Sequence, residues 1–148
     1  MDIAHGAHIL VCDGAKALMF YNQGDMEYPN FQTVWEKVQD NPPTHEQGTD
    51  RPGRRSDTGF HKSAMSETDF HDEAEKSFAR TLIDAVDADI LSKNIHQLIV
   101  VAAPHMLGEL RPLYSSHIQD HISAEVDKDL VHQDSRSIEN ILKAYQHK

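Results

Sequence analysis

Three of the six arginines in this 148-residue chain fall within five residues: Arg51, Arg54 and Arg55, followed by Lys62. Guanidinium groups present planar, paired donors that match phosphate oxygens, so their chemistry is anion recognition, with RNA as the candidate partner. Gly53 and Gly59 would let the main chain approach such a ligand closely. Two other arrangements suit the same residues. Asp50 and Asp57 offer local ion pairs for a solvated loop, and the segment could pack at a homo-oligomer interface. A second constellation is Asp127-Lys128-Asp129. On a strand, the two carboxylates would share a face and could hold a divalent metal or act as acid and base. The alternative is a capping residue and an ion pair with Lys128. Asp13 precedes Gly14 and reads first as a turn residue. Arg111 lies in the junction from Ala103 to Arg111, where Gly108 suits close packing and Arg111 an acidic partner.

His117 and His121 are four apart, with Asp120 between them. The spacing places both imidazoles on one helical face, but neither HExxH nor a zinc-finger pattern is present. Dinucleotide and Walker glycine patterns and a serine nucleophile elbow are also missing from the sequence. No cofactor or metal is therefore assigned, and no catalytic residue.

The charge balance limits the partners. The net charge is -10, yet residues 45–62 carry four Lys/Arg against three Asp/Glu. Long-range electrostatics repel nucleic acid, so any such contact must be local to the arginine segment. With 39% apolar and 26% charged residues, the composition is that of a globular domain. Cys12, the single cysteine, lies in an apolar run and reads as a small buried hydrophobe. No run approaches a membrane span, and the first residues lack the pattern of a signal peptide. Cytoplasmic localisation without membrane insertion is the expectation.

The elements that must position these residues follow from hydrophobic patterning. His8 to Cys12 and Ala17 to Asn22 flank Asp13-Gly14 and predict a β-hairpin. Phe31 to Val38 suits a third strand. From about 40 to 68 periodic apolar signal fades, which predicts a long flexible loop carrying the arginines. Capping side chains at Ser66 to Asp69 would open a helix bearing Phe78, Leu82, Ala85, Val86 and Ile90 on one face. Leu98 to Ala103 is a fully apolar run and predicts a central strand. A second helix would align Leu107, Leu110, Leu113 or Tyr114, Ile118 and Ile122. Ala124 to Lys128 reads as a short strand, and a last helix starts near Ser135. The sum is one α/β domain over 1–148, with a mixed β-sheet covered by helices.

Five motifs in order carry a resemblance across nearly the whole chain: Val11 to Ala17, Asp50 to Arg54, Phe78-Ala79, Val101 to Arg111, and Glu125 to Leu130. The chain resembles the bacterial host attachment protein family. That family in turn is similar to the middle domain of archaeal and eukaryotic class-I release factors and of the rescue factor Pelota. The helix signature of that domain corresponds here to Phe78-Ala79-Arg80. In release factors the basic loop carries a Gly-Gly-Gln tripeptide that promotes peptidyl-tRNA hydrolysis. This chain has Arg51-Pro52-Gly53-Arg54-Arg55 at the corresponding place and no Gly-Gly-Gln.

The resemblance implies a Pelota-like binding role on RNA or the ribosome, without peptide release. The family name also implies a part in attachment to host cells, direct or indirect. A metal-dependent hydrolase using Asp13, Asp127 and Asp129 is a third reading.

Overall fold

The computed structural model describes the backbone of residues 1–39, 52–92 and 95–146, and the side chains of 1–39, 72–92 and 95–146. The apolar run His8–Cys12 forms strand β1, buried along its whole length, and Lys16–Asn22 forms β2. They pair antiparallel, with Cys12 opposite Ala17 closing the hairpin. The Asp13 side chain completes the turn. Its Oδ1 accepts from the Ala15 and Lys16 amides, each at 2.8 Å. Those donors would otherwise lack partners at a strand end.

Phe31–Val38 forms β3, antiparallel to β2. Leu98–Ala102 forms β4, parallel to β1, and Ile122–Val126 forms β5, parallel to β4. The sheet order is β3-β2-β1-β4-β5, so the sheet is mixed, with an antiparallel half and a parallel half. All five residues of β4 are buried, which the alternation-free run from Leu98 requires of a strand covered on both faces.

The helices are α1 (Pro52–Ser92), α2 (Pro104–Leu110), α3 (Ser116–His121) and α4 (Ser135–Ala144). One face of the sheet presents Leu10, Cys12, Met19, Val100 and Ala102 to Phe78, Leu82 and Val86 of α1 and Leu107 of α2. The opposite face presents Ile9, Val11, Phe20, Ile99 and Val101 to Ile138 and Leu142 of α4. Two polar ties fix the outer strand β3 to both layers. Trp35 Nε1 donates to Asp89 Oδ2 at 2.7 Å, and the buried Phe31 amide donates to Glu139 Oε2 at 2.7 Å. Among the described residues, no helix is long and apolar enough to cross a membrane.

Three expectations change. The loop predicted to run to Thr68 gives way to helix at Pro52, so Gly53, Arg54, Arg55 and Lys62 belong to α1, and Ser66 to Asp69 fall inside it. The rest of that loop, with Arg51, lies outside the described residues. Proline suits the first helical position because its φ is already helical and its missing N–H has no partner there. Apolar periodicity reports burial rather than helicity, so a stretch without an apolar stripe gives no helical signal.

The second change concerns the helix expected from Leu107 to Ile122. It is broken into α2, a 3₁₀ turn at Arg111–Leu113, and α3. Pro112 lacks the N–H that a continuous helix needs. Ser115 then opens α3 by accepting from the Ile118 amide at 3.1 Å. Leu107, Leu110 and Ile118 are buried as the stripe required, but Ile122 opens β5. Third, β5 ends at Val126, two residues earlier than expected. Asp127, Lys128 and Asp129 therefore follow the strand, and strand alternation does not place the two carboxylates.

Candidate functional site at the carboxyl end of the sheet

Open α/β sheets gather ligands beyond the carboxyl ends of their parallel strands, where successive connections diverge. Here that rim is built from the residues after β1, β4 and β5. Asp13 follows β1, and its second carboxylate oxygen, Oδ2, lies 3.3 Å from His132 Nε2. Gly14 comes next and lies directly against α1. A Cβ there would stand 2.6 Å from Glu75 Cγ, Cδ and Oε2. The Glu75 carboxylate occupies the space that a side chain at this position would fill.

His105, at the start of α2, approaches the same carboxylate. Its Nε2 is 3.0 Å from Glu75 Oε1 and 3.8 Å from an oxygen of Glu109, one turn along α2. Asp72 precedes Glu75 by three positions on α1, the spacing that puts two side chains on one helical face. One donor atom each from Asp72, Glu75 and His105 lies within 4.8 Å of the others. Glu75 Oε1 is buried and makes no hydrogen bond. Two helices and one glycine thus converge two carboxylates and an imidazole.

A second polar group lines the β5 side of the sheet. Glu125 Oε1 accepts from Arg111 Nε at 3.0 Å and is 2.8 Å from Arg111 Nη2, a forked pairing. Glu125 Oε2 accepts from the Tyr114 hydroxyl at 2.7 Å. Partial burial pushes the Glu125 carboxyl up, but hydrogen bonds from Arg111 and Tyr114, with the Arg111 charge, outweigh it and hold the group low. The Tyr114 hydroxyl is pushed well above its usual range, first by burial and then by its bond to Glu125. Arg111, Glu125, Asp127, Leu107 and Tyr145 line an open cleft of about 740 Å³. Asp127 Oδ1 is 3.5 Å from the Tyr145 hydroxyl, and Lys128 Nζ lies 6.0 Å from the Tyr145 ring centre.

The residues singled out from sequence therefore separate. Arg111 finds the acidic partner expected of it, and shares the cleft with Asp127. Asp129 is exposed. Asp13 is the turn residue, with both oxygens engaged by its own turn and His132. Asp13, Asp127 and Asp129 do not form a metal-ligand group among the described residues. His121 Nδ1 lies 2.7 Å from the backbone oxygen of His117, and His117, Asp120 and His121 do not form a three-ligand group among the described residues. Gly108 is not a packing glycine, since a Cβ there would meet nothing within 4 Å. Cys12 is buried, and burial followed by the Asp13 charge pushes its thiol up to about 12, as befits an inert core residue. The side chains of Arg51, Arg54, Arg55 and Lys62 lie outside the described residues.

Sequence reasoning missed Asp72, Glu75, His105 and Glu109. Their signal was present but dispersed: Asp and Glu three apart on α1, His and Glu four apart on α2. Only the parallel pairing of β1 with β4 brings the two helices to one place.

The fold is a single mixed sheet of five strands with helices on both faces, an α/β fold consistent with a release-factor-like domain. The family model for bacterial archaeo-eukaryotic release factor family 12 matches residues 7–142, and the chain belongs to that family. The release-factor half of the resemblance is thus borne out, whereas the matched description does not carry the host-attachment name. A comparison with curated proteins gives no match.

Proposed function

We propose that this protein is a non-enzymatic binding module that contacts RNA, on the ribosome or free of it, through Arg51, Gly53, Arg54, Arg55 and Lys62. The observation that carries this reading is membership of a release-factor family over residues 7–142, a span that includes the arginine segment. Phe78 and Ala79, the resemblance's helix signature, are buried against the sheet, and Arg80 is exposed. The basic segment precedes that signature in the chain, as the catalytic loop does in release factors. Without Gly-Gly-Gln the segment keeps the means to recognise phosphate and lacks the tripeptide tied to peptide release.

The acidic remainder of the chain supports a local contact rather than a broad basic face. Binding then depends on few cations and weakens steeply when they are reversed. The test is sedimentation with ribosomes from a bacterial lysate, with and without RNase. It compares the wild type with the triple variant Arg51→Glu, Arg54→Glu, Arg55→Glu. The wild type should co-sediment, RNase should release it, and the triple variant should stay in the supernatant. Equal co-sedimentation of the triple variant would overturn the assignment of the contact to these arginines.

A further inference from the structure

We infer that Asp72, Glu75 and His105 form a binding site for a divalent first-row transition metal, with Zn²⁺ as the best-suited ion. Three observations combine. The three donor atoms already lie within 4.8 Å of one another, without any rearrangement of the backbone. Glu75 Oε1 and His105 Nε2 stand 3.0 Å apart, a few tenths of an ångström closer than the roughly 3.3–3.6 Å between neighbouring ligands of a tetrahedral ion with bonds of about 2.0–2.2 Å, so a small side-chain adjustment would admit one. Glu75 Oε1 is also shut off from solvent and makes no hydrogen bond, although the His105 imidazole stands beside it, and a cation held between the two would satisfy both.

At Gly14 a side chain would have to displace the Glu75 carboxylate from this position. The imidazole separates this set from an all-oxygen magnesium or calcium site, because nitrogen donors favour zinc and its neighbours. Three protein ligands leave at least one position for water or an anionic group. Glu109, 3.8 Å from His105 Nε2, stands ready as a hydrogen-bonding neighbour or a fourth ligand. An ion here would join α1 to α2 across the carboxyl ends of β1 and β4.

The inference stands apart from the RNA contact and is tested separately, on chelator-treated full-length protein. Titration with Zn²⁺ by calorimetry should show one tight equivalent and a rise in Tm, with millimolar Mg²⁺ giving neither. His105→Ala and Glu75→Gln should each weaken Zn²⁺ binding at least about tenfold, the loss that even an outer-shell partner carries. His105 is exposed and Glu75→Gln keeps the side-chain volume, so both variants should fold. The double variant His117→Ala, His121→Ala should bind like the wild type, which separates this site from chance capture by other histidines. Cobalt substitution should give visible absorption that vanishes in His105→Ala. Zn²⁺ binding that is absent from the wild type, or unchanged in both His105→Ala and Glu75→Gln, would overturn the site.

Discussion

Two carboxylates on the same side of the sheet meet opposite fates. Glu125, on β5, has both oxygens matched by donors of this chain: the Arg111 fork on one and the Tyr114 hydroxyl on the other. Glu75, on α1, faces the His105 imidazole and has a buried oxygen that makes no hydrogen bond. The first group is complete within the fold and contributes stability. The second is completed from outside, and its value to the protein is a ligand. Charge density does not distinguish them; the supply of donors does.

Removing each carboxylate should separate the two fates. Glu125→Ala leaves the partly buried Tyr114 hydroxyl without its acceptor and should lower stability by about 1–2 kcal/mol. The exposed Arg111 adds little to that cost because solvent replaces its partner. Glu75→Gln in metal-free protein should change stability by less than about 0.5 kcal/mol. Chemical denaturation of both variants checks the contrast. Equal losses would show that the Glu75 carboxylate is a structural group after all.

The pH dependence sharpens the comparison on the β5 side. The folded pKa of Glu125 lies below its ordinary 4.5, so the unfolded chain binds the proton more readily. Its stabilisation is present above that value and is lost as pH falls through the folded pKa. Tyr114 has the opposite sense. Its pKa is raised above the ordinary 10.0, so its contribution is complete below pH 10 and is lost as pH rises beyond it. Thermal melts should therefore show a shallower alkaline decline in Tyr114→Phe and a shallower acid decline in Glu125→Gln than in the wild type.

A similarly small effect belongs to the exposed rim pair of Asp13 and His132. His132 is 70% exposed beside Asp13, so His132→Ala should cost no more than about 0.5 kcal/mol, measured by the same melts.

Much of this fold was legible because burial leaves a pattern. The apolar runs around Leu10 and Val100 are central strands, and the Phe78-Leu82-Val86 stripe is the face of α1 that packs on the sheet. The turn at Asp13 and the partner of Arg111 followed from residue chemistry. The extent of α1 did not, since residues without an apolar stripe carry no signal for the 3.6-residue period. The break at Pro112 was hidden by an apolar spacing that continues across it. The Asp72-Glu75-His105 group could not be assembled from sequence, because its members join only through the pairing of β1 and β4. The arginine segment is a separate case. It stands out by composition alone, and the meaning we propose for it rests on its place in a release-factor family.

That meaning is open to direct measurement. Fluorescence anisotropy with a single-stranded RNA, titrated at stepped salt concentrations, reads both affinity and the number of phosphate contacts. The wild type should bind with an affinity that falls as salt rises. The triple variant Arg51→Glu, Arg54→Glu, Arg55→Glu should bind at least about tenfold more weakly, with the slope of log K against log salt reduced by about 2. A triple variant with unchanged affinity and slope, or a wild type that binds no RNA at low salt, would contradict the account.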